Sequence, residues 1–385
     1  MTISPFARPL YVMLKPVGAR CNLACDYCYY LDKQQLYANE HRHLMSEQLL
    51  EEFTRQYISA QTSDEVLFTW HGGEAMMRPL KFYRKAVELQ RKYADGHIIS
   101  NCIQTNGTLI TEEWARFLHD EGWLVGVSID GPQDVHDPYR RTPQGEPTWA
   151  RVRRGIDILN RFHVEWNAMA VVNNLNVERP LEFYRFFRDE LKCRYLQFTP
   201  VVDGGEWQES GQRSETTAKA GQRVYAINPL SWGHFLCEIF DEWLRHDDVG
   251  EMFVQLFDAT LANWVGQVPG VCTMAHSCGH AAVMEWNGDV YSCDHFVTPR
   301  HLLGNIRERS LVEMMYGEQQ TRFGQMKQDL LSDDCHQCPW LLACNGECPK
   351  NRILTGNRNY LCEGYRMFFR HVTPWMNQAA QEIVH

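Results

Sequence analysis

The feature that most constrains this chain is a group of three cysteines near the N-terminus, Cys21, Cys25 and Cys28, with the spacing CxxxCxxC. They follow a short apolar segment, PLYVML at residues 9 to 14, which predicts a β-strand. Three thiols on one short loop favour metal binding over packing in a core. The fold must therefore bring the end of a strand to a metal site.

The composition supports this interpretation and limits the possible partners. The chain has 14 cysteines and no secretory signal or bilayer-spanning apolar stretch, so we expect a cytoplasmic protein whose thiols are reduced and bind metal. The net charge is -10 and no dense Lys/Arg run occurs, which argues against a nucleic-acid partner. A peptide or small-molecule substrate, with no membrane partner, is the expectation.

Short apolar segments alternate with amphipathic ones along the first 200 residues. The patterns beginning at Ser46 and Thr111 predict helices. Six strands are predicted, at residues 9–14, 65–70, 98–104, 125–129, 166–172 and 194–201. Strands that alternate with helices form parallel sheets, so we predict an α/β fold with a partial (β/α)6 barrel. A polar, Gly-rich segment at 203 to 226 predicts a long loop.

Polar motifs follow four of these strands. Cys21 comes after the first strand, His71-Gly-Gly-Glu after the second, Thr105-Asn-Gly after the third, and Ser128-Ile-Asp-Gly ends the fourth. In parallel α/β folds, ligands bind at the carboxyl ends of the strands. The sequence thus predicts that one mouth gathers all four motifs. For His71 itself we expect a packed or hydrogen-bonded role.

The cysteine loop has a defined chemistry. A 4Fe-4S cluster held by three thiolates leaves one iron open, and S-adenosylmethionine (SAM) can chelate that iron. Gly72 and Gly73 let the backbone approach a ligand closely, and Glu74 can accept from the SAM amine. A zinc site is the structural alternative for such spacing. With these motifs the chain resembles the radical SAM superfamily, and this resemblance places Tyr27 against the adenine.

Eight more cysteines lie near the C-terminus, and four of them form the run C-x2-C-x5-C-x3-C. This arrangement resembles a SPASM domain with two auxiliary 4Fe-4S clusters. Zinc knuckles are the alternative. The resemblance implies two interleaved ligand sets, namely Cys272, Cys278, Cys293 and Cys348 for the first cluster and Cys335, Cys338, Cys344 and Cys362 for the second. The remaining Cys102, Cys193 and Cys237 are predicted to be buried within strands or helices.

Over nearly its whole length the sequence resembles the anaerobic sulfatase-maturating enzymes, through CNLACDYCYY, WHGGE, QTNGTLI, SIDGPQDVHDPYRR, YSCDHF and CHQCPWLLACNGECPKNR. The resemblance implies oxidation of a cysteine or serine in a sulfatase Cys/Ser-x-Pro-x-Arg motif to Cα-formylglycine. It implies SAM and three 4Fe-4S clusters as cofactors. It also implies an unfolded sulfatase polypeptide as substrate and an electron donor such as flavodoxin or ferredoxin.

The resemblance assigns roles to three residues around the substrate. Asp294, directly after Cys293, is the implied base that takes the thiol or hydroxyl proton beside an auxiliary cluster that accepts an electron. Tyr30 matches a tyrosine close to the substrate. His295 is a candidate for orienting Asp294 or for contacting the substrate.

Three further residues are assigned to SAM binding. The resemblance places Ser128 and Arg140 on its ribose and carboxylate, and Leu196 in an aliphatic contact from the sixth strand. Two simpler interpretations stay open, a strand-end hydroxyl bonded to backbone for Ser128 and a surface ion pair for Arg140. Arg141 exchanges roles with Arg140 if the alignment slips by one residue.

Two rival functions remain. One is another SPASM peptide modifier that forms a thioether or carbon-carbon crosslink; because the cysteine loop already begins at residue 21, sulfatase maturation is favoured. The other is a non-catalytic iron-sulfur electron-transfer protein, which gives the first loop and Asp294 no role. We expect a barrel at residues 1–230, a helical linker at 231–270, the SPASM domain at 271–365 and a terminal helix at 366–385.

Overall fold

A computed structural model of the chain describes residues 9–38, 43–202, 226–353 and 355–384. The chain divides into two compact units. The first unit contains the described residues up to Ser128, Asp137–Trp166 and Gly279–Gly324, and the second contains Ile129–His136, Asn167–Cys278 and the described residues from Gln325 onward. The predicted loop at 203 to 226 lies outside the described residues except for its last residue. The predicted division into four segments stays a prediction, because the units join segments distant in sequence.

The strands in the described residues follow the apolar pattern closely. In chain order they are β1 (Tyr11–Lys15), β2 (Glu65–Trp70), β3 (Ile98–Thr105), β4 (Leu124–Ser128), β5 (Trp166–Val172), β6 (Tyr195–Pro200), β7 (Phe253–Val254), β8 (Ala281–Glu285), β9 (Asp289–Tyr291) and β10 (Leu302–Asn305). All six predicted strands are confirmed as β1 to β6, each within two residues of its predicted ends.

The α-helices occupy most of the segments between these strands. In chain order they are α1 (Glu47–Ser59), α2 (Leu80–Tyr93), α3 (Glu112–Asp120), α4 (Gln133–His136), α5 (Trp149–Arg161), α6 (Pro180–Arg185), α7 (Pro229–Arg245), α8 (Gln255–Trp264), α9 (Leu311–Met315), α10 (Glu318–Asp329), α11 (Asp333–His336), α12 (Leu341–Cys344) and α13 (Cys362–Val384). The two helices predicted to begin at Ser46 and Thr111 are confirmed. Each of these side chains accepts from a backbone N–H in the first turn and so caps its helix.

The first unit is built on a mixed sheet with the strand order β10-β9-β8-β1-β2-β3-β4. β1 runs parallel to both β2 and β8, whereas β8, β9 and β10 are antiparallel. The edge strands β10 and β4 do not pair with each other, so the sheet of this unit is open. Val66, Phe68 and Trp70 of β2 are buried, which fits parallel strands covered by helices. The predicted α/β architecture is confirmed.

The second unit contains the parallel strands β5, β6 and β7 and the helices α7, α8 and α13. Helix α13 packs on α7 and α8. A Cβ atom at Gly364 would lie 2.2 Å from the carbonyl oxygen of Pro229, so glycine at this position allows α13 and α7 to approach closely. The predicted helical tail is confirmed as α13. No helix in the described residues is long and apolar enough to cross a membrane.

One prediction about the isolated cysteines is wrong. Cys102 lies in β3 and Cys237 in α7, but Cys193 lies in the connection that precedes β6. Cys193 is the only one of the three that is buried, with the other two half-buried. Its thiol donates to the carbonyl oxygen of Tyr195, 3.1 Å away, so burial is compatible with its place outside a regular element.

Candidate active site

Four sequence motifs lie at the carboxyl ends of neighbouring strands in the first unit. The cysteine loop follows β1, His71-Gly-Gly-Glu follows β2, Thr105 ends β3, and Ser128 ends β4. Because β1 to β4 are adjacent and parallel, these ends meet at one edge of the sheet. The prediction that one mouth gathers the four motifs is confirmed.

The three cysteines of the loop are half-buried. Burial and the charge of Glu74 raise the pKa of the Cys21 thiol to about 12, and Cys25 and Cys28 are close enough to add to this shift. The loop is held in place because Ala24 N–H donates to the Arg141 carbonyl at 2.8 Å. Thiols of this kind become good ligands when a metal displaces their protons.

The thiols of the first loop lie close enough to influence one another, because the charges of Cys25 and Cys28 both raise the pKa of Cys21. Neighbouring thiolates on one loop are the kind of ligand that holds a 4Fe-4S cluster.

The two glycines of the second motif lie against the segment before the cysteine loop. Gly72 has a φ of 138°, and its N–H has a partner in the His71 ring. A Cβ atom at Gly73 would lie 2.1 Å from the carbonyl oxygen of Arg20. Gly73 N–H donates to the Gly18 carbonyl at 2.8 Å. The glycines were predicted to let the backbone approach a ligand, and the segment they approach is the backbone of residues 18–20. Their contact with SAM stays a prediction.

Glu74 is completely buried and binds groups of its own chain. Its carboxylate accepts from the Thr105 hydroxyl at 2.9 Å and from the backbone N–H groups of Asn106 at 2.7 Å and Met76 at 2.9 Å. Burial raises the pKa of Glu74 to about 7, although these hydrogen bonds oppose the shift. Three of roughly four acceptor positions are used, so Glu74 fastens the end of β3 and has room for one more donor.

The two arginines after the fourth motif have different environments. Arg140 is buried at 7% exposure, and its guanidinium lies 5.5 Å from the ring centre of Tyr27. The side chain of Arg141 is 42% exposed and forms an ion pair of 2.9 Å with Asp26. The surface ion pair thus belongs to Arg141, and Arg140 is the arginine that is buried beside the residue predicted to contact adenine.

The two other predicted SAM contacts lie in different units. Ser128 is half-buried at the end of β4, and its hydroxyl accepts from the Gln104 side chain at 3.0 Å, so its partner is a side chain rather than backbone. Leu196 is buried in β6 of the second unit. Their contacts with SAM stay predictions.

Asp294 belongs to a charged network that the sequence did not reveal. The ammonium of Lys15 lies 2.5 Å from Asp294 Oδ1 and 3.1 Å from His71 Nδ1. The Tyr29 hydroxyl donates to Asp294 Oδ2. Lys15 has no exposed surface. Parallel pairing of β1 with β8 aligns Lys15 with Glu285 and so fixes the lysine beside these groups.

This network fixes the ionisation of Asp294. Burial alone would raise the pKa of its carboxyl, but the nearby Lys15, His71 and His295 hold that pKa well below its usual value. Burial and Lys15 lower the pKa of His71 to about 4. Near neutral pH, Asp294 is therefore a carboxylate and His71 is neutral. His71 has the hydrogen-bonded role predicted for it, because Gly72 N–H donates to its Nδ1 at 2.8 Å.

Tyr30 and His295 flank the same network. Tyr30 is 3% exposed, its ring lies 4.2 Å from the Lys15 ammonium, and its hydroxyl donates to Glu285. Burial raises the pKa of Glu285 to about 7. The ring of His295 lies 4.6 Å from that of Tyr29. The Tyr30 hydroxyl is therefore bonded to Glu285. A contact of Tyr30 or His295 with the substrate stays a prediction.

Local sequence patterns did not predict Lys15, Tyr29 or Glu285 as parts of the site. Lys15 ends an apolar strand immediately before Pro16, and lysine at a strand end is usually exposed. The available signal was the position of these residues, because Lys15 precedes the cysteine loop and Tyr29 directly follows Cys28.

The second unit contains a cavity lined by all four cysteines of one predicted set, Cys335, Cys338, Cys344 and Cys362. Its volume is about 400 Å³, counting the open space at its mouth. Trp340, Tyr365 and Phe369 form apolar walls. Four thiols around one apolar cavity match the ligands of a fully coordinated 4Fe-4S cluster.

Electrostatic contacts among the thiols divide these cysteines into two groups. Burial has the largest effect on the pKa of Cys278, Cys344, Cys348 and Cys362. The charge of Cys272 adds to the raised pKa of both Cys278 and Cys348. Cys335 contributes in the same way for Cys344 and Cys362. Cys344 and Cys348 thus have different thiol neighbours although four positions apart, and the interleaved ligand sets stay a prediction. Cys293, in the first unit, is not part of this observation.

The chain matches two protein families at the segments that carry these features. Residues 16–187 match the radical SAM superfamily, and residues 272–339 match the SPASM iron-sulfur cluster-binding domain. The fold and the cysteine sites therefore define a radical SAM enzyme with a SPASM domain, which uses SAM and 4Fe-4S clusters.

Similar proteins narrow this class. The chain is 55% identical to a serine-type anaerobic sulfatase-maturating enzyme of Bacteroides thetaiotaomicron, over 100% of this chain and 94% of the relative. It is 29% identical to a cysteine-type enzyme of Clostridium perfringens, over 97% and 99%. A solved structure of native anSMEcpe with bound AdoMet and Cp18Cys peptide matches with a TM-score of 0.86 and 29% identity, over 97% and 99% of the two chains. The chain belongs to the anaerobic sulfatase-maturating enzymes.

Proposed function

We propose that this enzyme oxidises the target residue of a sulfatase Cys/Ser-x-Pro-x-Arg motif to Cα-formylglycine, that serine is its preferred target, and that Asp294 is the base. The observation that carries the base assignment is the ion pair of Lys15 with Asp294, one residue after a cysteine of the first predicted auxiliary set. Serine is favoured because the serine-type relatives are 55% and 35% identical, against 29% and 31% for cysteine-type relatives.

The chemistry balances for both targets. Oxidation of the serine side chain to an aldehyde removes a hydrogen atom from Cβ, a proton from the hydroxyl and an electron. Cysteine loses the same set, and water then replaces sulfur in the thioaldehyde with release of hydrogen sulfide. When bound, SAM and the clusters supply the 5'-deoxyadenosyl radical that takes the hydrogen atom and an acceptor for the electron. The chain itself must take the proton.

Asp294 suits this proton transfer because of its two oxygens. Oδ1 pairs with Lys15, which keeps the carboxylate ionised before the substrate binds. Oδ2 accepts from the Tyr29 hydroxyl, so a hydroxyl group can reach this oxygen. Tyr29 is 39% exposed. A substrate hydroxyl that takes the same position donates its proton to Oδ2, within the distance a general base requires.

We further propose three 4Fe-4S clusters. The SAM-binding cluster takes Cys21, Cys25 and Cys28, and the auxiliary clusters take the sets Cys272, Cys278, Cys293, Cys348 and Cys335, Cys338, Cys344, Cys362. The cavity lined by the last set and the grouping of thiols support this assignment. SAM itself contacts the backbone or side chains of Tyr27, Gly72, Gly73, Glu74, Ser128, Arg140 and Leu196. The substrate, an unfolded sulfatase polypeptide in the cytoplasm, contacts Tyr30 and His295, and flavodoxin or ferredoxin supplies electrons.

The substrate proposal is tested with two sulfatase peptides that differ only in serine or cysteine at the target position. The anaerobically reconstituted enzyme is incubated with SAM, dithionite and each peptide, and mass spectrometry follows the aldehyde product. We expect formylglycine from both peptides with a higher kcat/KM for the serine peptide. Turnover of the cysteine peptide alone would overturn the serine preference, and crosslinked or thioether products would replace the proposed reaction.

A further inference from the structure

The turn between Cys344 and Cys348 has an unusual backbone. Its three residues, Asn345, Gly346 and Glu347, all have positive φ values, of 48°, 69° and 55°. Only glycine adopts this region freely, and a run of such residues persists only where the surroundings hold it. In the proposed assignment this turn joins a ligand of one auxiliary cluster to a ligand of the other.

Arg352 holds this turn through its guanidinium group. Nε donates to the Gly346 carbonyl at 2.6 Å, and Nη2 donates to the carbonyls of Asn345 and Glu347, each at 3.0 Å. Arg352 is 2% exposed. One buried cation therefore binds the carbonyl oxygens of all three residues of the turn, and the planar fork of arginine is suited to this task.

Lys327 holds the turn that begins at the first cysteine of the other segment. Its ammonium donates to the carbonyls of Cys272 at 3.0 Å, Thr273 at 2.7 Å and Ala275. Lys327 has no exposed surface, and its own carbonyl accepts from Arg352 Nη1 at 2.6 Å. The two cations are thus linked, and both bind carbonyl dipoles.

The charge of these two residues is only partly balanced. Within the part of the chain that the structure describes, neither Lys327 nor Arg352 has a carboxylate within ion-pair distance. The carboxylate that acts on both electrostatically is that of Glu347, and its Oε2 accepts from Asn351 at 2.9 Å and from Asn359. Two buried cations against one buried carboxylate leave a positive excess.

This excess lies beside the cysteines. Lys327 interacts electrostatically with Cys278 and Cys348, which belong to the first auxiliary set. Arg352 interacts with Cys278 of the first set and with Cys335 and Cys344 of the second. The hydrogen bonds follow the same division, because Lys327 binds the carbonyl of Cys272 in the first set, whereas Arg352 binds the turn that joins Cys344 of the second set to Cys348 of the first.

We infer that Lys327 and Arg352 are positioning residues that raise the reduction potentials of the auxiliary clusters with their buried charge. The inference rests on the proposed cysteine assignment. A cluster becomes more negative when it accepts an electron, so a buried positive charge stabilises the reduced form. Such clusters accept the electron released by substrate oxidation more readily.

The test measures potentials in a background where the first loop carries Cys21→Ala, Cys25→Ala and Cys28→Ala, so that only the auxiliary clusters titrate. Anaerobic redox titration followed by electron paramagnetic resonance gives a midpoint potential for each cluster. We expect Lys327→Met to lower one potential and Arg352→Gln to lower both, by about tenfold in the reduction equilibrium, which is about 59 mV for one electron. Unchanged potentials in both loaded variants would overturn the inference.

Matched controls separate charge from support of the fold. Arg322 lies in α10, the helix that also contains Lys327, and its side chain is 76% exposed. The reduction potentials of Arg322→Gln should match those of the parent. Lys327→Arg and Arg352→Lys keep the charge but change the hydrogen bonds. If Lys327→Met and Arg352→Gln hold no iron, the charge-conserving variants Lys327→Arg and Arg352→Lys decide the test. Reduction potentials equal to those of the parent support the charge effect, and lower potentials contradict it. Iron content tests the cysteine assignment separately, since the parent should bind about eight iron atoms.

Discussion

Two completely buried lysines, Lys15 in the first unit and Lys327 in the second, have opposite kinds of partner. Lys15 lies 2.5 Å from the Asp294 carboxylate, so its charge is matched and it fixes the ionisation of a side chain. Lys327 binds three backbone carbonyls, so its charge is available to its surroundings. In the roles we propose, the buried charge beside the proton-transfer base is paired, whereas the buried charge beside the auxiliary clusters is left in excess.

The largest effect is expected at Lys15. Lys15→Met leaves Asp294 without its cation, and we expect a loss of about 3 kcal/mol in the free energy of unfolding, as for other buried pairs with one partner removed. Lys15→Met with Asp294→Asn should recover most of this loss. Anaerobic urea denaturation followed by tryptophan fluorescence measures both. Equal losses in the single and double variants would show that the pair is not the source of the effect.

The neighbouring carboxyl of Glu285 gives a prediction in pH. Burial raises its pKa from 4.5 to about 7, so the folded state binds this proton more tightly than the unfolded state. Its contribution to stability is full below about pH 4.5 and is lost as the pH rises through about 7. Glu285→Gln keeps the neutral form, so it should lose less stability than the parent between about pH 5 and pH 8, with a difference of about 3 kcal/mol at most.

Denaturation at the two pH values measures this difference. Glu308→Gln changes an exposed carboxyl and serves as the control. A Glu285→Gln variant with the same pH dependence as the parent would mean that Glu285 is already ionised in the folded protein, and Lys15 would then face two carboxylates rather than one.

The smallest effect is expected at the exposed pair of Arg141 and Asp26. Both side chains are about 40% exposed, and such pairs contribute about 1 kcal/mol or less. Arg141→Gln should therefore change the free energy of unfolding by less than about 1 kcal/mol and leave formylglycine formation unchanged. Arg140→Gln should weaken SAM binding, which equilibrium dialysis measures. If Arg141→Gln weakened SAM binding and Arg140→Gln did not, the SAM contact would belong to Arg141.

Much of this structure could be predicted from local sequence patterns. The apolar runs predicted β1 to β6, and the alternation with helices predicted that Cys21, Glu74 and Ser128 share one edge. Cysteine spacing indicated metal binding because ligand chemistry requires particular residues at short intervals, and the ligand sets implied by the resemblance stay predictions. These features depend on neighbours in the chain, so they are visible in the sequence.

The charged networks depend on contacts between distant residues and could not be predicted in this way. Lys15 meets Asp294 because β1 pairs with β8, about 270 positions later. Arg352 binds a turn at 345–347 whose left-handed backbone local sequence patterns do not reveal. The choice between Arg140 and Arg141 also needed the fold, since adjacent residues differ in burial.

The central claim is that Asp294 takes the substrate proton after SAM has been cleaved. The most direct test measures 5'-deoxyadenosine and formylglycine together in Asp294→Asn with a serine-type sulfatase peptide, with Asp26→Asn as the control. We predict continued formation of 5'-deoxyadenosine and a loss of formylglycine of at least about 100-fold, the usual contribution of a general base. Formylglycine formation at the parent rate in Asp294→Asn would contradict the account.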